Sequence, residues 1–164
     1  MAILIRKAIE QDAGVLGALN ADVQALHAAA MPWLFKPPGP DTFPPAAVKE
    51  LMAEPENLIF IAEVDGTAAG YAYAQIEERP ETPFIHAHDM LYLHHISVSP
   101  PYRRRGVGRA LIEAVRAAAT DAGIALVALD VWTFNEEARA FFRGCGFAPY
   151  NERLWSAETP DRPA

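Results

Sequence analysis

A single cysteine, Cys145, leaves no partner for an intrachain disulfide and no thiolate cage for a metal. That scarcity points to a reducing compartment, with the cytoplasm as the expected location, and away from redox chemistry. Long apolar runs are also missing: none approaches the roughly 20 residues of a membrane helix. The opening Ala2-Ile3-Leu4-Ile5 is interrupted by Arg6-Lys7 before it reaches signal-peptide length. Positive charge is in short supply, with 14 Lys plus Arg against 21 Asp plus Glu and a formal net charge of -7. Such a surface disfavours nonspecific binding to nucleic acid or acidic membranes. No internal repeat or long low-complexity segment is present, which excludes solenoid and array architectures.

What is there has the composition of a folded globular domain, at 51% hydrophobic and 21% charged residues over 164 positions. A chain of this length buries about 70% of its unfolded surface in one core. One domain over residues 1–157 is expected, with a flexible tail at 158–164 that contains Pro160 and Pro163.

Residues 2–6 read as a strand. From Asp12, Leu16, Leu19, Val23 and Leu26 recur at helical spacing, and the pattern fades near Pro32. A proline-rich loop, Pro37 to Pro45, precedes a short helix at 45–53. Strands at 58–64 and 68–76 flank Asp65-Gly66, a dipeptide suited to the positive φ angles of a tight hairpin. A third strand at 90–98 is stopped by Ser99-Pro100-Pro101. Beyond it the pattern gives a helix over 106–123, a strand at 124–131, a helix at 135–143 and an extended segment at 147–155. This order is an α/β chain with an antiparallel first half and a strand-helix-strand crossover in the second.

The segment Arg103-Arg104-Arg105-Gly106-Val107-Gly108-Arg109 places four arginines and two glycines where a strand hands over to a helix. A helix N-terminus offers unpaired N–H groups and partial positive charge, glycines admit a phosphate to the backbone, and arginines add charged donors. A pyrophosphate matches those donors; the alternative is a solvated basic turn. The spacing Arg103-x-x-Gly106-x-Gly108 after Ile96-Ser97-Val98 resembles the acetyl-CoA pyrophosphate loop of the GNAT superfamily of N-acetyltransferases. Downstream, Asp130-Val131-Trp132-x-x-Asn135-x-x-Ala138-x-x-Phe141-Phe142-x-x-x-Gly146-Phe147 resembles a later GNAT motif. A Walker loop would need Gly-Lys-Ser/Thr, and a dinucleotide fingerprint a third glycine.

The resemblance implies a GNAT fold: a mixed, mostly antiparallel sheet with helices on both faces, whose fourth and fifth strands splay to admit pantetheine. It further implies acetyl transfer from acetyl-CoA to a primary amine of a small molecule or peptide, and a homodimer. Backbone groups of Ile96, Ser97 and Val98 would then pair with pantetheine, and Arg103, Arg104, Arg105, Gly106, Val107, Gly108 and Arg109 would hold the pyrophosphate. Asn135 would bond the cofactor, or serve only as an N-cap, and Ala138, Phe141 and Phe142 would line it. Phe142 stands where many family members carry the tyrosine assigned to protonating the thiolate; Tyr150 or a water is its possible substitute.

Four of the five histidines, His86, His88, His94 and His95, fall within ten residues. Strand alternation puts His86 with His88, and Tyr92 with His94. Three readings stay open: a metal site at His86, His88 and Asp89; a catalytic base at His94 beside Tyr92; and structural histidines. A strand bulge would make His95 the competing base, and Glu63 or Glu77 is a further choice. Trp33, Phe35 and Lys36 would border the acceptor on the family analogy. A different class of function is a CoA-binding sensor without turnover, and a third is a histidine-cluster metal protein.

Overall fold

The computed structural model describes residues 1–156; the expected tail at 158–164 lies outside them. Five strands form one sheet in the order of the sequence: β1 (Ile3–Lys7), β2 (Asn57–Val64), β3 (Thr67–Arg79), β4 (His88–Val98) and β5 (Leu126–Leu129). The first four are antiparallel, and β5 runs parallel to β4. Asp65 and Gly66 turn β2 into β3 with φ of 49° and 82°, as the hairpin signal requires.

Alternation along the strands builds two cores. Ile59, Ile61, Tyr71 and Tyr73 face Leu16 and Leu19 of α1 (Ala13–Ala30) and Val48 of α2 (Pro45–Ala53). Phe60, Ala62, Ala72, Ala74, Leu91 and Leu93 face α3 (Val107–Asp121) and α4 (Glu136–Gly144). Val107, Leu111, Ile112, Val115 and Ala119 recur along one face of α3 and are buried, each larger side chain contributing roughly 1.5–3 kcal/mol. Alanines at 72 and 74 let that helix lie close to the sheet. Among the described residues no helix is long and apolar enough to cross a membrane.

Two features of β4 create the site. Tyr73 pairs with His95 while Ala74 pairs with Leu93, so His94 is an extra, bulged residue. The bulge reverses the expected alternation and puts His95 and Ser97 on the α1 side, while Ile96 and Val98 pack against the α3 core. Pairing with β5 stops at Leu93–Leu129, yet β4 runs on to Val98. The local twist a bulge adds accounts for the parting of the two strands, and β5 is accordingly shorter than the expected 124–131.

The expected extended segment at 147–155 is not a strand: residues 147–156 run as coil, with Tyr150 and Leu154 exposed. Pro149 removes a ladder donor there, and the four residues of β5 offer little edge to pair with.

At the other edge of β4, Gly70 faces Val98. A Cβ on Gly70 would stand 2.5 Å from Ser97 O and 3.2 Å from Val98 Cα, both backbone atoms. Gly70→Ala is therefore expected to force β3 and β4 apart at a cost of about 1–3 kcal/mol, seen as a melting temperature several degrees lower; an unchanged melt would show that the strand pair yields freely.

Candidate active site

The turn between β4 and α3 is built by prolines and left-handed residues. Pro100–Tyr102 forms a single helical turn, and Arg104 (φ 57°) and Gly106 (φ 87°) then take left-handed conformations before α3 begins. Alternating backbone handedness of this kind turns successive N–H groups toward one side and makes an anion-binding concavity. Tyr102 N and Arg103 N are bonded to Ser99 O and Pro100 O, and the next backbone bond is Ala110 N to Gly106 O. Among the described residues, the N–H groups of Arg104, Arg105, Gly106, Val107, Gly108 and Arg109 make no close backbone hydrogen bond, and the Gly106 cap supplies no side chain. Over Gly106 there is room, since a Cβ would meet only Ile3 Cδ1 at 3.8 Å. These donors and this space fit a pyrophosphate.

Beside the turn lies a groove of ≈ 480 Å³ lined by Pro100, Arg103, Arg104 and Glu137. Arg103 Nε donates to Val98 O at 2.8 Å and Arg109 Nη2 to Gly144 O at 3.2 Å, which ties the turn to β4 and to the end of α4. Phe141 rests on Gly108, where a Cβ would come within 3.1 Å of its ring.

Ser99 N donates to Ala69 O on β3. By the alternation of an antiparallel ladder, the main-chain groups of Ile96 and Val98 point the other way, to the edge that β5 has left. Ser97 differs from its two neighbours: its backbone faces β3, and its buried hydroxyl donates to Leu19 O at 2.7 Å.

On α4, Asn135 Oδ1 accepts from Ala138 N at 3.0 Å, an N-cap. Ala138 and Phe141 are half-buried against the α3 core. Phe142 is a core residue, 7% exposed, packed between Phe141 and Phe147. Tyr150, the possible substitute for a hydroxyl at this position, is 78% exposed on the coil. Cys145 is buried at the end of α4.

The four clustered histidines separate into two pairs. His86 and His88 are exposed, with His88 Nδ1 against His86 O at 2.9 Å. Among the described residues no three His, Cys, Asp or Glu side chains come together as a metal-binding group. His94 and His95 sit at the bulge instead. The His94 ring stacks on Tyr73 at 4.9 Å, meets Tyr92 at 4.8 Å, and sets Nε2 3.1 Å from Gln75 Oε1. Partial burial holds its pKa below the usual imidazole value, opposed by the Glu77 carboxylate. His95 is enclosed by Phe43, Tyr71 and Tyr73, and burial, with His94 and His27 nearby, lowers its pKa to about 4. Tyr92 is pushed up to about 12 by burial and by the Asp130 carboxylate; it remains a hydroxyl donor at neutral pH.

Several site residues carried no signal in the sequence. Asn20 and Tyr71 join His95 through hydrogen bonds, and Gln75 reaches His94; each reads in isolation as ordinary helix or strand. Phe35 stacks on His27 and meets Trp132 edge-on, while Trp33 stacks on Trp155 at 5.1 Å. Those aromatics join the loop after α1 to the loop after β5 and to the terminal coil.

Residues 20–147 match the acetyltransferase (GNAT) family. The chain is 36% identical over 110 residues to the N-alpha-acetyltransferase RimI of Mycobacterium tuberculosis, a match covering 66% of this chain and 63% of that one. A mutant of the BH1408 protein from Bacillus halodurans has the same fold, with a TM-score of 0.91 at 20% identity over 95% of this chain and 99% of that chain. The aminoglycoside N-acetyltransferase AAC(6')-Iy, solved with the bisubstrate analogue CoA-S-monomethyl-acetylneamine, superposes with a TM-score of 0.73 at 23% identity, over 97% of this chain and 99% of that chain. The chain belongs to the acetyltransferase (GNAT) family.

Proposed function

We propose that residues 1–157 form one acetyltransferase domain that moves an acetyl group from acetyl-CoA to a primary amine. The observation that carries this reading is the arginine-glycine turn, whose unpaired amides adjoin the edge of β4 vacated by β5. The amides of Arg104 to Arg109 receive the pyrophosphate, with the guanidinium groups of Arg103, Arg104, Arg105 and Arg109 adding charge. Main-chain groups of Ile96 and Val98 pair with pantetheine. Ser97 contributes by anchoring β4 to α1, Asn135 caps α4, and Ala138 and Phe141 form the α4 wall, with Phe142 packed behind them in the core.

Acetyl-CoA supplies the thioester carbonyl. The amine nitrogen bonds to its carbon, the carbon–sulfur bond breaks, and CoA departs as thiolate. A proton leaves the amine for His94 Nδ1, the ring nitrogen left with a lone pair when Nε2–H donates to Gln75 Oε1, directly or through water. A thiol with a pKa of about 8.5 needs little help to leave, so the missing hydroxyl at Phe142 is tolerable, and Tyr92, on β4 with His94, keeps its hydroxyl proton at neutral pH. The aminoglycoside acetyltransferase among the structural neighbours and the acidic net charge favour a small cationic amine as acceptor. A cytoplasmic homodimer completes the reading, supported by the single cysteine and family habit; its solution mass tests the dimer.

The test is calorimetric titration of untagged protein with acetyl-CoA, followed by thiol release with a panel of amines. Saturable binding with amine-stimulated release is expected. Binding with no release from any amine would favour a CoA sensor, the reading that Phe142 makes the main competitor, and absence of binding would overturn the assignment of the turn.

A further inference from the structure

We propose that Asn20 and Tyr71 lock His95 in its Nδ1-protonated tautomer, so that Nε2 stands as a neutral acceptor for an N–H of the incoming amine. This rests on the N-acetyltransferase reading for the amine; the tautomer itself does not.

The bonding order follows from counting protons. Tyr71 is fully buried, and its hydroxyl donates to Asn20 Oδ1 at 3.0 Å. A phenol has one proton, so at the 3.1 Å contact with His95 Nδ1 the tyrosine oxygen accepts and the imidazole donates. The only ring nitrogen left with a lone pair is Nε2. Burial raises the Tyr71 pKa, which keeps its proton in place.

The fold keeps this chain in register. Ser97, two residues along β4 from His95, donates to Leu19 O, the residue before Asn20 on α1. Two buried polar links therefore join the same turn of α1 to the sheet within a core that is otherwise apolar, at a cost that apolar side chains would avoid. Because Tyr71 occupies the Nδ1 edge, Nε2 is the ring atom left to accept a hydrogen bond from the amine. A neutral acceptor there suits an uncharged amine, the form that attacks a thioester, whereas an ammonium would call for a carboxylate.

Long-range proton–nitrogen NMR of protein labelled with 15N-histidine, with His95 assigned from a His95→Gln spectrum, reads the tautomer without any substrate. A protonated Nδ1 and unprotonated Nε2 are expected. Tyr71→Phe removes the acceptor of the Nδ1 proton, and should raise the amine KM by about three- to tenfold, the range of one hydrogen bond, with acetyl-CoA affinity retained. Protonation at Nε2 in the wild-type spectrum, as a turned Asn20 amide would impose, overturns the proposal even if Tyr71→Phe fails to fold. An unchanged amine KM in a folded Tyr71→Phe protein overturns it as well. Failure of wild-type protein to release thiol with amines would instead strike the acetyltransferase reading, whatever the tautomer.

Discussion

Gly108→Val and Gly106→Val are each expected to weaken acetyl-CoA binding by more than about 100-fold, equivalent to about 2.7 kcal/mol, in proteins that still fold. At Gly108 the first added carbon already lies 3.1 Å and 3.3 Å from two Phe141 ring carbons, and 3.8 Å from Val98 Cγ2. The two further methyls of valine must push Phe141 outward or fill the space beside the turn, and either change moves the first-turn amides of α3. At Gly106 the difficulty is the backbone. Its φ of 87° is a left-handed conformation that a β-branched residue adopts at a cost of roughly 1–2 kcal/mol. That sum is small against the 5–15 kcal/mol of a typical domain, so the strain is expected to appear as a rearranged turn and not as an unfolded chain. Calorimetry of both variants beside their thermal melts separates the effects. Binding within threefold of wild type in either folded variant would place the pyrophosphate elsewhere.

The turn was legible in the sequence because everything it needs is local: a strand stop, two glycines, four arginines and a helical repeat follow one another within about a dozen residues. The Asp65-Gly66 hairpin and the buried face of α3 were legible for the same reason. The bulge was foreseeable only as an alternative, since it belongs to a pair of strands. Leu93 and His95 are fixed by their partners Ala74 and Tyr73 on β3, and nothing within β4 alone says where the extra residue falls. Alternation consequently grouped Tyr92 with His94 and left His95 on the other face. Asn20 and Tyr71, 51 positions apart, are an inconspicuous helix polar residue and a strand aromatic until the fold brings them together. At 147–155 a favourable local pattern failed for want of a partner strand, and Pro149 removed one of the donors that a ladder would have used.

His94→Ala is expected to lower kcat by about 100-fold, the scale of one positioned base, while the Kd for acetyl-CoA stays within about twofold, because His94 lies at the bulge and not in the arginine-glycine turn. The working form of the base is the neutral imidazole, so kcat/KM should fall as acidification protonates it. Partial burial favours that neutral form and lowers the pKa from 6.5; the acid limb therefore belongs below pH 6.5, with the plateau extending through neutrality. Glu77 acts in the opposite sense, since its carboxylate stabilises the imidazolium and raises the pKa. Glu77→Gln should accordingly move the acid limb to still lower pH, and His94→Ala should remove the limb together with most of the rate. Stopped-time thiol release across the pH range, at saturating acetyl-CoA, measures both. A His94→Ala enzyme that keeps the wild-type rate and acid limb would transfer the role of base to another group, whereas a lost limb with intact cofactor affinity would separate proton transfer at the bulge from phosphate binding at the turn.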